Sequence, residues 1–320
     1  MRWTTIDYIY KELFTASQKV FTIADVKIGG LPGENPVLLV GSIFYLGDKL
    51  LTGDNRVFDK EKASELINEA ISIAENYNLS FGLDVVLPQE DYVEKILEFV
   101  SNYNIPLFLD SPDPKTRIKA YTLARELGII DKVIANGIDM HTPSEELEAI
   151  KNSGIKTAVL FAFDPSNPFS SLKPKDRLGI VEKLLQLVHK AGVENMIADA
   201  IVLDPGSIAL SAETIFLVKR ELGLPAGCAP ANALGPVNKK NFDVNEVIGI
   251  QSGIAAMLRV YGADVIMYGP VKRIKYVAPA LATVDGMLGY LARQEGVRIS
   301  RKHPIKSLLK RIQQLFAQQK

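Results

Sequence analysis

Eight times between Asn35 and Gln294, a short run rich in Val, Ile and Leu gives way to a segment of helical periodicity, and this alternation constrains the fold more than any other property of the chain. The apolar runs, read as strands, are Val37–Tyr45, Ser80–Leu87, Pro106–Ser111, Lys132–Ile138, Thr157–Phe163, Asn195–Leu203, Pro225–Ala233 and Asp264–Gly269. The segments read as helices are Asp59–Tyr77, Glu90–Tyr103, Lys115–Leu127, Ser144–Ser153, Asp176–Ala191, Ser207–Leu222, Asn245–Tyr261 and Val277–Gln294. Runs that stay apolar instead of alternating belong to strands covered on both faces, which is the signature of a parallel sheet. In the fifth helix Leu178, Val181, Leu184, Leu185 and Val188 recur at spacings of three and four, giving one apolar face to lay on such a sheet. Gly128, Gly154, Gly192 and Gly223 each precede an apolar residue and mark helix ends that need a left-handed cap.

Eight βα units with short, right-handed crossovers close most simply into a (β/α)₈ TIM barrel, an α/β fold of roughly 250 residues. An open doubly wound sheet is the alternative, but Gly41-Ser42-Ile43 after the first strand does not supply a Gly-x-Gly-x-x-Gly turn. Ahead of the barrel, Lys19–Pro36 reads as a β-hairpin turning at Ala24-Asp25, then a Gly/Pro-rich link, and is expected to plug the lower mouth. The expected division is an N-terminal extension at 1–19, a barrel domain at 20–296 and a basic tail at 297–320.

Lys and Arg number 37, as do Asp and Glu, so nothing in the total calls for nucleic acid as a partner. The balance hides an asymmetry. From Val297 to Lys320 there are seven basic residues and no acid, leaving 30 basic against 37 acidic residues, a formal charge of −7, for residues 1–296. In that tail Ile305, Leu308, Leu309, Ile312, Leu315 and Phe316 recur at helical spacing, which predicts a basic amphipathic helix over Pro304–Gln319. Such a helix suits its own barrel, a dimer contact, a partner protein or an anionic membrane surface. A single cysteine, Cys228, and three histidines, His141, His189 and His303, exclude a disulfide framework and a zinc site of several Cys and His ligands. With no apolar run of the ~20 residues that span a bilayer and no signal-peptide core in MRWTTIDYIYKELF, the expected location is cytoplasmic, with membrane contact only peripheral and from the inner face.

In a barrel of this kind, chemistry collects at the C-terminal ends of the strands. The polar residues there are Asp84, Asp110, Asn136, Asp164, Asp199, Asp204 and Asn232. Asp164 and Asp204 precede proline and read as turn caps. Asp84, Asp110 and Asn136 follow directly on apolar strand residues at three successive strands, where a buried charge must be paired or used. Carboxylates beside carboxamides match the amino-pyrimidinone edge of a pterin, where one carboxylate can accept two parallel N–H bonds. A Mg²⁺ site is the competing use of clustered Asp oxygens.

The segments Asp25-Val-Lys-Ile-Gly-Gly-Leu-Pro-Gly-Glu, Leu39-Val-Gly-Ser-Ile-Phe-Tyr, Phe58-Asp-Lys-Glu-Lys-Ala, Leu83-Asp-Val-Val, Leu222-Gly-Leu-Pro-Ala-Gly-Cys-Ala-Pro-Ala-Asn-Ala and Met267-Tyr-Gly-Pro occur in an order that strongly resembles the H-subunit family of tetrahydromethanopterin S-methyltransferase, over residues 20–293. The resemblance implies transfer of the N5-methyl group of a methyl-tetrahydropterin, with tetrahydromethanopterin or tetrahydrofolate as carrier, to the reduced cobalt of a corrinoid held by a partner protein. It implies no tightly bound cofactor, and a homodimer. Carried residue by residue, it implies that Asp110 and Asn136 hold the pterin, that Asp199 contacts the pterin and serves catalysis, that Asn232 lies nearest the N5 methyl, and that Asp84 sits beside the pterin. The sequence departs from the family pattern at Ala229-Pro230-Ala231, before Asn232. Asp139-Met140-His141-Thr142-Pro143-Ser144 lacks the Gly of a corrinoid-ligating Asp-x-His-x-x-Gly loop, so His141 is expected to be a loop residue at the barrel top. Two alternatives remain: a pteroate-synthase-like enzyme using Lys272 and Arg273 after the eighth strand, and a non-catalytic barrel that binds a pterin or a corrinoid protein.

Overall fold

The computed structural model describes residues 8–52, 57–234, 242–307 and 314. Eight parallel strands form a closed barrel: β1 (Leu38–Ile43), β2 (Ser80–Val86), β3 (Leu107–Asp110), β4 (Val133–Ile138), β5 (Thr157–Phe161), β6 (Asn195–Asp199), β7 (Ala226–Cys228) and β8 (Val265–Pro270). They pair in chain order, and β8 closes on β1 with Val265 opposite Leu38. The helices that follow them are α1 (Lys60–Tyr77), α2 (Glu90–Val100), α3 (Pro114–Glu126), α4 (Ser144–Ser153), α5 (Pro174–Lys190), α6 (Ser207–Leu222), α7 (Val244–Val260) and α8 (Ile274–Gln294). The expected TIM barrel is thus observed. Gly128, Gly154, Gly192 and Gly223 all have positive φ, as their cap positions require.

Two strands stop four or more residues sooner than the sequence suggests. The apolar run through Leu203 ends as β6 at Asp199, because Ile201 turns into the left-handed region at φ 52° and gives its N–H to the Asp199 side chain. The run through Ala233 ends as β7 at Cys228. After Pro230, which has no N–H for a sheet, the chain enters a helical turn, Ala231–Leu234. A small hairpin of Leu51–Thr52 and Val57–Phe58, between β1 and α1, and a helix at Ile9–Leu13 were not anticipated from the sequence.

The strand period of two divides the barrel residues cleanly. Leu39, Leu83, Leu107 and Leu109 face the helices in the large outer core. Leu38, Val40, Phe108, Ile134, Val159, Ile197, Val265 and Met267 fill the barrel itself. Ile23 and Ile28 of the N-terminal hairpin, Val20–Ile23 paired with Val26–Gly29, join that inner cluster and plug the lower mouth. Ala24 and Asp25 form its two-residue turn at φ 45° and 64°.

A buried charge network locks the link to the barrel floor. Arg259 donates through Nε to Asp285 Oδ1 at 2.6 Å and through Nη2 to the Asn35 carbonyl at 2.8 Å, while Lys219 Nζ donates to Asp264 Oδ2 at 2.8 Å. Each charge has a partner, so the desolvation penalty is offset. The same end of the barrel carries residues 8–14 and 300–305. Tyr8, Tyr10 and Phe14 pack with Leu288 and Ala292 of α8. Ser300 donates to Asn35 Oδ1, and His303 and Ile305 are buried. Of the helix expected over Pro304–Gln319, Pro304–Ser307 is helical, and the rest, Gln314 apart, lies outside the described residues.

Candidate functional site

Two residues beyond the inner apolar layer, the same strand faces turn polar. Ser42 follows Val40, Asp110 follows Phe108, Asn136 follows Ile134 and Asp199 follows Ile197, while Asp84 lies opposite Ser42 in register. Strand alternation therefore sets this group on the inner surface at the C-terminal mouth. Ser42 Oγ donates to Asp84 Oδ2 at 2.7 Å, and Asn136 Nδ2 donates to Asp84 Oδ1 at 3.4 Å. Asp110 and Asn136 sit opposite each other in the β3–β4 register. Asp199 accepts the Ile201 N–H at 2.7 Å. Ser42 was not singled out in the sequence, since a serine inside Val-Gly-Ser-Ile carries no signal until a carboxylate is placed beside it.

The electrostatics are those of crowded, buried carboxyls. Burial raises Asp84 above its usual range, against opposing hydrogen bonds from Ser42 and Asn136. Burial and then the neighbouring charge of Asp84 raise Asp110 further. Burial pushes Asp199 up to about 6, opposed by the Ile201 N–H and by the Arg177 guanidinium. Arg117, which faces Asp110, is already committed to Glu146 through Nε at 2.5 Å and Nη2 at 2.7 Å. Of the four buried side-chain atoms without a hydrogen-bond partner among the described residues, Asn136 Oδ1 is the one that belongs to this strand-end group. A buried acceptor left unmade costs about 1–3 kcal/mol, so a donor from a ligand is the natural complement.

The other residues singled out from the sequence fall elsewhere. Asp164 caps its turn, with Oδ1 accepting from Ser166 N at 2.9 Å and Ser166 Oγ at 2.7 Å, and Asp204 Oδ1 accepts from Ser207 N at 2.8 Å. His141 is a half-exposed loop residue whose Nε2 pairs with Asp164 Oδ1 at 2.8 Å. Asn232 is not at a strand end. It sits solvent-exposed on the Ala231–Leu234 turn beyond β7, without a side-chain bond to the four strand-end residues. Lys272 and Arg273 line a rim cavity of about 290 Å³ with Val244, Val247, Lys275 and Tyr276, none of which belongs to the carboxyl group. Among the described residues no three His, Cys, Asp or Glu side chains are grouped to hold a metal ion.

Comparison with known proteins adds a second line of observation. The family model described as tetrahydromethanopterin S-methyltransferase MtrH subunit matches residues 16–300. The chain belongs to the MtrH family. Its relatives include the tetrahydromethanopterin S-methyltransferase H-subunit of Methanothermobacter marburgensis, 30% identical over 309 residues that cover 92% of this chain and 99% of the relative. The Methanosarcina mazei protein of the same name is 28% identical over 315 residues with the same coverage. That of Methanopyrus kandleri is 29% identical over 294 residues, 85% of this chain and 91% of the relative. MtrH family membership is thus carried along nearly the whole chain.

Among solved structures, the MtrH barrel is similar in fold to dihydropteroate synthases. The Yersinia pestis enzyme with a sulfonamide drug superposes with a TM-score of 0.59 at 15% identity, covering 84% of this chain and 98% of that one. The Coxiella burnetii enzyme in complex with pteroic acid gives 0.56 at 14% identity, covering 86% and 100%. No described helix is long and apolar enough to cross a membrane.

Proposed function

We propose that this MtrH family chain moves the N5-methyl group of a methyl-tetrahydropterin to the cob(I)amide of a corrinoid carried by a partner protein. The observation that carries the reading is Asn136 Oδ1, a buried acceptor without a partner, set among Asp84, Asp110 and Asp199 at the barrel mouth. An amino-pyrimidinone edge supplies N–H donors to such a group and a carbonyl that a protonated carboxyl can serve, and raised pKa values allow some of these carboxyls to hold a proton near neutrality. In this reading Asp84, Asp110, Asn136 and Asp199 bind the pterin. The names of the relatives favour tetrahydromethanopterin as the carrier over tetrahydrofolate.

The chemistry asks for one thing beyond binding. The cobalt lone pair forms the new Co–C bond, the C–N pair stays on N5, and N5 takes up a proton, because an unprotonated tertiary amine is a poor leaving group. Asn232 donates a hydrogen bond at N5, and Asp199 supplies the proton network along the pterin edge. The exposure of Asn232 on the turn that follows β7 supports this role, since a group that meets an incoming acceptor has to be accessible. The chain works as a homodimer, its corrinoid partner approaches the open mouth, and the basic tail makes its peripheral contact with a membrane complex or an anionic lipid surface.

Incubation with methyl-tetrahydromethanopterin and free cob(I)alamin tests this. The expected result is conversion to the methylcobalamin spectrum, faster than with methyl-tetrahydrofolate. Tight pterin binding with no methyl transfer even in the presence of corrinoid protein would favour a binding barrel instead.

A further inference from the structure

Arg177, in the first turn of α5, is 1% exposed and forms no ion pair among the described residues. A buried cation is tolerated only when its N–H groups are used. Nε donates to the Ser171 carbonyl at 2.8 Å, and Nη1 reaches the carbonyls of Ala200 at 2.7 Å and Ile201 at 2.9 Å and Ser211 Oγ at 3.2 Å. Two of those carbonyls lie on the turn that leaves β6. There Ile201 has φ 52°, a region that β-branched residues adopt only when the surroundings over-determine it. Ser211 Oγ donates to the same Ile201 carbonyl at 2.6 Å, so two donors grip one peptide. The N–H of Ile201 in turn donates to Asp199 Oδ1 at 2.7 Å, and Oδ2 has no protein partner among the described residues.

We propose that Arg177 is a positioning residue for the Asp199 carboxyl: it holds the Ala200–Ile201 turn so that the Ile201 N–H occupies one carboxyl oxygen and the other is kept for the pterin. The proposal rests on the reading of Asp199 as a pterin ligand. Charged and titratable groups facing Asp199 are Arg177 from α5, Asp84 from β2 and Cys228 from β7, with Asp110 of β3 in range across the mouth. Asp204, past the turn, faces Arg177. Arg177 is the cation of this set and lowers Asp199, so its loss acts on both the orientation and the titration of that carboxyl.

The test follows the Asp199 carboxyl by ¹³C NMR, with the resonance assigned by its absence in Asp199→Asn, alongside calorimetric affinity for a methyl-tetrahydropterin. Arg177→Met is expected to raise the Asp199 midpoint by about one pH unit and to weaken pterin affinity about tenfold. Arg177→Lys keeps the charge but not the planar fork, so it should leave the midpoint near that of the parent and still weaken affinity about tenfold. It carries the test if Arg177→Met does not fold. A folded Arg177→Met with an unmoved midpoint, or Arg177→Lys with parental affinity, would overturn the proposal whatever either does to thermal stability. A shifted midpoint in a protein that binds no pterin would leave the positioning of Asp199 standing and sink the functional reading.

Discussion

Asn136 reaches past β3 to donate its side-chain amide to Asp84, 3.4 Å from Nδ2 to Oδ1, while its own carbonyl oxygen is buried without a partner. The amide therefore uses its donor to order the carboxylate and keeps its acceptor for something the protein does not provide. That division of labour leads to the first prediction.

Asn136→Ala should weaken pterin binding by about tenfold or more, the equivalent of one well-made hydrogen bond plus the ordering of Asp84. Calorimetric titration with a tetrahydropterin reads it directly. Because the substitution also removes an unsatisfied buried acceptor, the ligand-free protein should melt no lower than the parent by more than a few degrees.

Asp199 gives a signed dependence on pH. Its folded-state pKa is raised from 3.8 to about 6, so the protonated form is favoured in the folded state, and the stability this contributes is complete below the unfolded value and lost as pH rises through about 6. Ligand-free protein should accordingly be less stable at pH 7 than at pH 4.5 with respect to this group. Asp199→Asn, which cannot ionise, should remove that slope and be the more stable protein at pH 7 by about 3 kcal/mol. Urea denaturation at the two pH values measures it, and an Asp199→Asn advantage that is equal at both would contradict the cause assigned here.

Asn232→Ala should lower the rate of methyl transfer about 10²-fold while changing pterin affinity little, since a bond made as the C–N bond breaks acts on the transition state. Single-turnover kinetics with cob(I)alamin separates the two quantities. Equal losses in rate and affinity would instead make Asn232 an ordinary binding residue.

The start of the basic tail is docked on the barrel floor, with Ser300 bonded to Asn35 and His303 and Ile305 buried. Removing the tail after Gly296 would uncover that floor, so the informative truncation lies after Ser307. This protein should melt like the parent, retain methyl transfer to free corrinoid and lose co-sedimentation with anionic vesicles. Unaltered sedimentation would remove the membrane role of the tail.

Much of the barrel was legible because its signals are local. Glycine caps, three-and-four spacing in α5 and continuous apolar strands each report on neighbours within a few residues. The ends of β6 and β7 were not, since apolar residues continue past both strands and the break is made by Ile201 at positive φ and by the helical turn after Pro230. Of the strand-end residues, Asp84, Asp110, Asn136 and Asp199 converge as the strand parity predicts, whereas Asn232 left its strand with that turn. Ser42 and Arg177 were invisible for the same reason: each gains meaning only from a partner on another element.

By itself the sequence determined an α/β chain of eight repeating units, its family, and a polar set of residues at strand ends, because side-chain periodicity and backbone caps are written in consecutive residues. Only closure of the barrel decided which of those residues meet. It brings Asn136 to Asp84 across 52 positions of chain, sets Asp110 beside the buried Asp84 and Asp199 where their charges oppose one another, and leaves the Asn136 amide oxygen without a donor. Burial and Coulomb energy are sums over distant elements, and no local pattern contains them.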